Sequence, residues 1–171
     1  YTVITIAGSV EKNIYSIIPI YGEFDLFLQT SSSHENEDSV WDLHNFERGD
    51  YFREEAGSNL PSTFPVLTNY ENGVALSCTS IDLTADSYAN NYEAISERVT
   101  EEIDDLAGFD GASVIRNGEC YQVSSDEIVT RNLVIYVPEN SSQSDLSYIN
   151  SLEEYATANG VDLEVRAYGN S

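Results

Sequence analysis

The sequence predicts an α+β fold: a split βαβ (ferredoxin-like) sandwich in which two helices lie on one face of an antiparallel sheet. The first observation is the order of patterns between residues 74 and 168, which reads β-α-β-β-β-α-β. The second is a pair of Asn-Gly steps, Asn72-Gly73 and Asn117-Gly118, because Asn and Gly tolerate the positive φ of tight hairpin turns. The third is that each helical segment carries one apolar stripe, which lets it pack on a sheet.

Two helices are predicted from apolar residues spaced three or four positions apart. In the first helix, Asp86 is expected as the N-terminal cap and Gly108 as a left-handed residue after the last turn. The second helix is expected to begin with Ser144 as its cap and to end at Gly160. The residues expected to face the core are Tyr88, Tyr92, Ile95, Val99, Ile103 and Leu106 in the first helix and Leu146, Ile149, Leu152 and Ala156 in the second.

Strands are predicted where β-branched and aromatic residues cluster between turn residues. The run richest in such residues is 128–137, which Pro138 stops. The other predicted strands cover residues 64–70, 74–81, 112–116, 119–123 and 161–165.

The chain is predicted to divide near residue 63. Residues 1–63 combine an N-terminal β segment, which starts with Tyr1–Ile6, and an acidic irregular region that contains a helical turn or two. Residues 64–171 form the sandwich. A chain of 171 residues is expected to bury one core, so the two parts should make one compact unit.

The charge is strongly acidic, with 30 acidic residues against 7 basic ones and a net charge of -23. Direct binding to nucleic acid is not expected, because contacts to phosphates need a cationic surface. Beyond solvation, three roles stay open for the acidic residues. They could give tolerance to high salt or low pH, recognise a cationic partner, or bind calcium through a loose acidic loop at residues 35–38.

A secreted protein that has lost a signal peptide or another N-terminal piece is predicted, since methionine is absent and the chain opens at Tyr1. In an extracellular protein the two cysteines, Cys78 and Cys120, would most simply form one disulfide, and two unpaired thiols are the alternative. Asn140, followed by Ser141 and Ser142, has the form of a glycosylation acceptor.

No catalytic, cofactor-binding or metal-binding motif is found. His34 and His44 are the only histidines, and His44 lies two residues after Asp42, but neither a nucleophile elbow nor a metal-ligand spacing accompanies them. The sequence therefore favours a protein that is not an enzyme and predicts no cofactor.

A part of the chain, residues 74–168 at most, resembles the small secreted killer toxins of yeasts and fungi. The pattern that carries the resemblance is a strand with Cys78, a long helix, and then a hairpin with Gly118-Glu119-Cys120. The additional cysteine that this family usually carries near the helix start is absent, since Asp86-Ser87 stand there. The resemblance implies an α/β sandwich, a bridge between Cys78 and Cys120, and a secreted antagonist that acts on a competitor's membrane or channel.

Two alternative functions come from other classes. The protein could be a secreted structural or filament-forming subunit that associates with copies of itself through the N-terminal strand. It could instead be an acidic inhibitor or immunity-type protein that covers a basic, cationic target.

Overall fold

The computed structural model describes residues 39–169, so the predicted N-terminal β segment, the acidic loop at 35–38 and His34 lie outside the described residues. Two short 3-10 turns, Val40–Asp42 and Ser125–Glu127, join the longer elements. The helices are α1 (Asn45–Glu55), α2 (Tyr92–Ala107), α3 (Gln143–Ser151) and α4 (Glu153–Ala158). The strands are β1 (Asn69–Glu71), β2 (Val74–Ser80), β3 (Gly111–Arg116), β4 (Glu119–Ser124), β5 (Thr130–Val137) and β6 (Asp162–Ala167).

The main sheet has four strands in the order β1-β2-β5-β6. Strand β1 pairs antiparallel with β2, whereas β2, β5 and β6 run parallel to one another. Strands β3 and β4 form a separate two-stranded hairpin. The predicted α+β sandwich is thus confirmed, but the prediction of an antiparallel, ferredoxin-like sheet is wrong. Helical crossovers follow both β2 and β5, and such connections return the chain to a parallel neighbour.

Strand β5 lies at the centre of the fold and is buried on both faces. Leu133, Ile135 and Val137 point into the larger core, while Val134 and Tyr136 point to the opposite face. A continuous apolar run of this kind is typical of a parallel strand that is covered on both sides. Helices accordingly lie on both faces of the sheet, with α2, α3 and α4 on one side and α1 on the other, which corrects the predicted single helical layer.

The apolar stripe of α2 is buried as predicted at Ile95, Val99, Ile103 and Leu106. Tyr92 is an exception, because it is 41% exposed and stacks on Tyr148 of α3 with ring centroids 4.5 Å apart.

Two predicted N-terminal caps are displaced, and one predicted C-terminal residue differs in its backbone conformation. Asn91 replaces Asp86 as the cap of α2, and its side-chain oxygen accepts a hydrogen bond from the Ala94 backbone N–H at 3.2 Å. Gly108 does end α2, but its φ of -82° is not left-handed. In α3 the cap is Ser142 rather than Ser144, because the Ser142 hydroxyl accepts a hydrogen bond from the Asp145 backbone N–H at 3.1 Å.

Helix α1 packs on the outer face of β5 through an aromatic cluster. Phe52 of α1 stacks on Tyr136 with centroids 4.5 Å apart, and the Trp41 indole N–H donates to the Tyr168 carbonyl at 2.7 Å. A segment predicted to be irregular is therefore a regular helix of 11 residues. The predicted division between residues 1–63 and 64–171 stays a prediction, although α1 from the first part packs against the sheet of the second.

None of the helices within residues 39–169 combines the length and the apolar character that crossing a membrane requires.

Candidate functional site

A cleft of about 680 Å³ opens between α1, the C-terminal end of β2 and the first half of α2. Its walls include Arg48 and Arg53 from α1, Thr79 from β2 and Arg98 from α2. The carboxyl ends of parallel strands are where open α/β sheets usually bind ligands, because the connections diverge there and leave a crevice. The fold therefore places its cleft at the usual position for a ligand.

Arg53 is half-buried in the wall of this cleft. Its guanidinium donates to the carbonyl oxygens of Leu60 at 3.1 Å and Pro61 at 3.3 Å, and to the hydroxyl of Thr68 at 3.3 Å. Among residues 39–169 no carboxylate lies within ion-pair distance of this guanidinium. Burial lowers the pKa of Arg53, because removal of the cation from water disfavours its charged form.

Arg48 lies nearer the start of α1 and also lines the cleft. Its guanidinium donates to the Trp41 carbonyl at 3.3 Å and to the Asn45 side-chain oxygen at 3.0 Å, and it lies 5.7 Å from the centroid of the Trp41 ring. The ring stabilises the cation through its negative face. Within the described part of the chain, Arg48 also has no carboxylate partner.

Arg98 forms the wall that faces α1. It pairs with Glu102 at 2.6 Å and with Glu101 at 3.6 Å, and it donates to the Thr79 hydroxyl at 3.1 Å. Burial raises the pKa of Glu102, while the neighbouring Arg98 opposes that rise. The pair fixes the Arg98 side chain against the end of β2.

The remaining groups in the cleft do not form a catalytic set. Burial raises the pKa of the Cys78 thiol to about 12, and the thiol donates to the Phe52 carbonyl at 3.4 Å, so it is not a ready nucleophile. The carboxylate of Asp82 accepts hydrogen bonds from the backbone N–H and the hydroxyl of Thr84 at 3.0 and 2.6 Å. Across residues 39–169, no group of three or more His, Cys, Asp or Glu side chains is arranged to hold a metal ion.

The two cysteines are free thiols, so the predicted disulfide is not formed in this structure. Cys78 lies in the main sheet, whereas Cys120 lies on the exposed β3–β4 hairpin, where its sulfur is 3.6 Å from the Ser113 hydroxyl. The structure therefore does not support the pairing predicted from an even count, since the fold places the two residues on different sheets.

The other residues considered in the sequence lie apart from the cleft. His44 is exposed just before α1 and stacks on Phe46, while Asp42 accepts a hydrogen bond from the backbone of Ser39. No serine completes a hydrogen-bonded triad with them among the described hydrogen bonds. Asn140 is exposed in the turn after β5, and its glycosylation stays a prediction.

Sequence reasoning missed the three arginines of the cleft. The sequence did contain one signal for them: the chain holds only 7 basic residues against 30 acidic ones, so each arginine was a candidate for a specific role. Their sequence separation, from Arg48 to Arg98, conceals that α1 and α2 approach the same strand end.

A second feature is the acidic helix face, which we define as the exposed carboxylates of α2 and α4. On α2 they recur at three- and four-residue spacing and so form one stripe. The Tyr155 hydroxyl of α4 donates to the Asp104 carboxylate at 2.8 Å, which places α4 beside that stripe. The members are Glu93, Glu97, Glu101, Asp104 and Asp105 on α2 and Glu153 and Glu154 on α4.

Few cations neutralise this face. Arg98 contacts Glu101 at the edge of this face, and among residues 39–169 the ion pair of Arg166 lies elsewhere, with Glu164 on β6. The acidic helix face therefore presents an excess of negative charge within the described part of the chain.

Comparison with solved structures finds the same fold in a chain of a complex described as the CdiA-CT/CdiI toxin and immunity complex from Yersinia pseudotuberculosis. The two chains superpose with a TM-score of 0.59 and are 24% identical, over 68% of this chain and 98% of that one. No curated protein matches the sequence.

A family model described as a CDI toxin restriction endonuclease-like domain matches residues 48–166. The resemblance to yeast and fungal killer toxins is therefore wrong, because the matching family is a CDI toxin domain and the structural neighbour belongs to a toxin and immunity complex from Yersinia pseudotuberculosis. The motif that carried it, Gly118-Glu119-Cys120, consists of a turn glycine and the first two residues of β4, and it forms no disulfide in this structure. Since the match covers more than half of the chain, the protein belongs to the CDI toxin restriction endonuclease-like domain family.

Proposed function

We propose that this toxin-family domain acts by binding another protein, and that its acidic helix face recognises a basic surface of that partner. The observation that carries the proposal is the stripe of exposed carboxylates on α2, continued by α4, which few cations offset. The proposed role is the acidic, immunity-type binding considered from the sequence, and the exposed stripe supports it.

Electrostatics give this surface a clear preference among partners. A net charge of -23 repels other anions and draws in a cationic protein, which speeds association and rejects acidic surfaces. The carboxylates lie on rigid helices whose opposite sides are buried at Ile95 and Val99, so a partner meets them in fixed positions. Carboxylates in fixed positions favour a role in a specific complex over a role in solvation alone.

The comparisons support a protein partner. The structural neighbour is described as part of a toxin and immunity complex, in which two proteins assemble. A membrane or channel target, which the killer-toxin resemblance implied, has no such support. Secretion stays a prediction from the sequence.

The second candidate is a nuclease toxin, and the family description favours it together with the position of the cleft at the C-terminal end of β2. Nucleases commonly hold divalent ions with several carboxylates, which polarise the phosphate and activate water. Here Asp82 is the acidic residue in the cleft wall, and Glu102 is committed to Arg98. The described residues therefore do not fit such a metal centre, and we derive no hydrolytic step.

The test compares a variant neutralised on the acidic helix face, Glu93→Gln/Glu97→Gln/Asp105→Asn, with the wild-type protein. The partner is first isolated by cross-linking in cells that produce the protein, and its affinity is then measured by calorimetry at several salt concentrations. We expect a basic partner, affinity that falls with salt, and a loss of about tenfold in the variant, from roughly 0.5 kcal/mol for each charge.

The matched control removes the same number of charges elsewhere, as Glu71→Gln/Asp126→Asn/Glu139→Gln, all at exposed positions. It should change the affinity by less than about twofold, since these residues lie outside the face. Equal losses in the two variants would refute the proposed surface. Cleavage of plasmid DNA by the purified protein with Mg²⁺, Mn²⁺ or Zn²⁺ would instead favour the nuclease.

A further inference from the structure

We infer that the cleft between α1, β2 and α2 binds a small organic anion through Arg48, Arg53 and Arg98. The ligand would carry a phosphate or carboxylate group. This inference goes beyond the proposed function, because it concerns a different surface and a small anion rather than a basic protein.

The first argument is the concentration of positive charge. The chain has 7 basic residues against 30 acidic ones, yet three arginines line this one cleft and Asp82 is the acidic residue among the lining side chains. Glu101 and Glu102 offset Arg98, so the positive charge without an ion-pair partner among the described residues comes from Arg48 and Arg53. A small anion that is repelled elsewhere would be stabilised here.

The second argument is the charge of Arg53. A guanidinium that is withdrawn from water costs free energy unless an anion accompanies it, and Arg53 has only neutral oxygens as acceptors among the described residues. The hydrogen bonds to Leu60 and Pro61 hold the side chain in place without cancelling its charge. A bound anion would supply the missing negative charge.

The third argument is that the arginines are already fixed. Arg48 is held by Asn45 and by the ring of Trp41, and Arg98 is held by Glu102. Guanidinium groups present several donors in a planar fork, so those not used in these contacts remain for a ligand. Little side-chain ordering is then needed when the anion binds.

The size of the cleft selects among anions. Its volume of about 680 Å³ is that of a small-molecule site rather than of a single ion. Tyr88 adds aromatic surface to the lining, and Ser80 and Ser87 add hydroxyl groups. An organic molecule with one anionic group and an uncharged body fits this combination, whereas the net charge of -23 on the chain would repel a long polyanion.

Phosphate and citrate are suitable probes for the two oxyanion types. Each is titrated into the full chain by calorimetry, with chloride replaced so that the ionic strength stays constant, because added salt alone would screen the repulsion between carboxylates. We expect saturable binding at millimolar concentration or below. Binding of phosphate alone assigns a phosphorylated ligand, and binding of citrate alone assigns a carboxylate.

Arg48→Gln and Arg116→Gln form a matched pair, since each removes one positive charge and Arg116 lies on the exposed β3–β4 hairpin. Arg48→Gln should weaken binding about tenfold or more, as expected for loss of a charge-assisted hydrogen bond, while Arg116→Gln should change it less than about twofold. If circular dichroism shows that Arg53→Gln folds, this variant should weaken binding as Arg48→Gln does. If it does not fold, the result for Arg48→Gln alone tests the inference. Absence of saturable binding by both anions, or equal losses in the matched pair, would overturn the inference. Partner binding by the acidic helix face would survive either result.

Discussion

Replacement of Phe52 by Ala should detach α1 from the sheet. Phe52 is 1% exposed, and its ring stacks on Tyr136 at 4.5 Å and meets Tyr168 edge-on at 5.4 Å. The same ring lies 5.2 Å from that of Trp41, so one side chain joins the helix, the preceding turn and two strand-end tyrosines. Few other apolar residues of α1 are buried.

The expected loss is about 3 to 5 kcal/mol, which is the usual cost when a buried phenylalanine is truncated to alanine. Part of this loss is the burial of the ring and part is the cavity that remains between α1 and β5. The upper half of the range is expected, because favourable aromatic pairs with Tyr136 and Tyr168 disappear together with the ring.

Trp41 is the single tryptophan of the chain and provides a local probe, since its indole N–H bonds to the Tyr168 carbonyl. Urea unfolding followed by Trp41 fluorescence should show the loss in Phe52→Ala. In the control, Phe46→Ala in the same helix, stability should stay within about 0.5 kcal/mol, because Phe46 is 82% exposed. A loss below about 1 kcal/mol at Phe52 would refute the packing of α1 on the sheet.

Three further results are expected. Ile95→Ala should cost about 2 to 5 kcal/mol in a urea titration, since Ile95 is fully buried, and an unchanged midpoint would place α2 outside the core. The free energy of unfolding should be higher at about pH 5 than at about pH 7.5, because burial raises the pKa of Glu102 in the folded protein. The stabilisation from protonated Glu102 is complete below its pKa in the unfolded chain. It is lost as the pH rises through its pKa in the folded protein. The pH difference should shrink in Glu102→Gln, and a melting temperature that rises towards neutral pH in the wild-type protein would contradict this reasoning. Iodoacetamide should modify the exposed Cys120 without denaturant while Cys78 reacts only on unfolding, whereas mass spectrometry showing two protected thiols would restore the disulfide.

Local patterns predicted the elements of the fold well where a few neighbouring residues decide the conformation. The two Asn-Gly steps form the predicted hairpin turns, with positive φ at Asn72 and Gly73 and at Asn117 and Gly118. Helix α2 follows from its apolar spacing, which does not depend on what the stripe packs against. Cap positions were less predictable, because several polar residues compete within one turn and tertiary contacts choose among them.

The direction of the strands was not predicted, although one signal was present. Residues 133–137 are all apolar, and such a run indicates a strand covered on both faces rather than on one. A pattern with alternating polar residues would have supported the antiparallel sheet. The second helical layer, formed by α1, follows from this strand, because Val134 and Tyr136 must be covered.

The sequence by itself determined the acidity of this protein, its mixture of helices and strands, and the stripe of α2 with carboxylates on the outer side. Each of these is a property of composition or of residues within a few positions of one another. Only the tertiary structure decided that Cys78 and Cys120 lie on different sheets and that Arg48, Arg53 and Arg98 share a cleft. The physical reason is that burial of both faces of β5 selects which distant segments meet, and no local pattern encodes that choice.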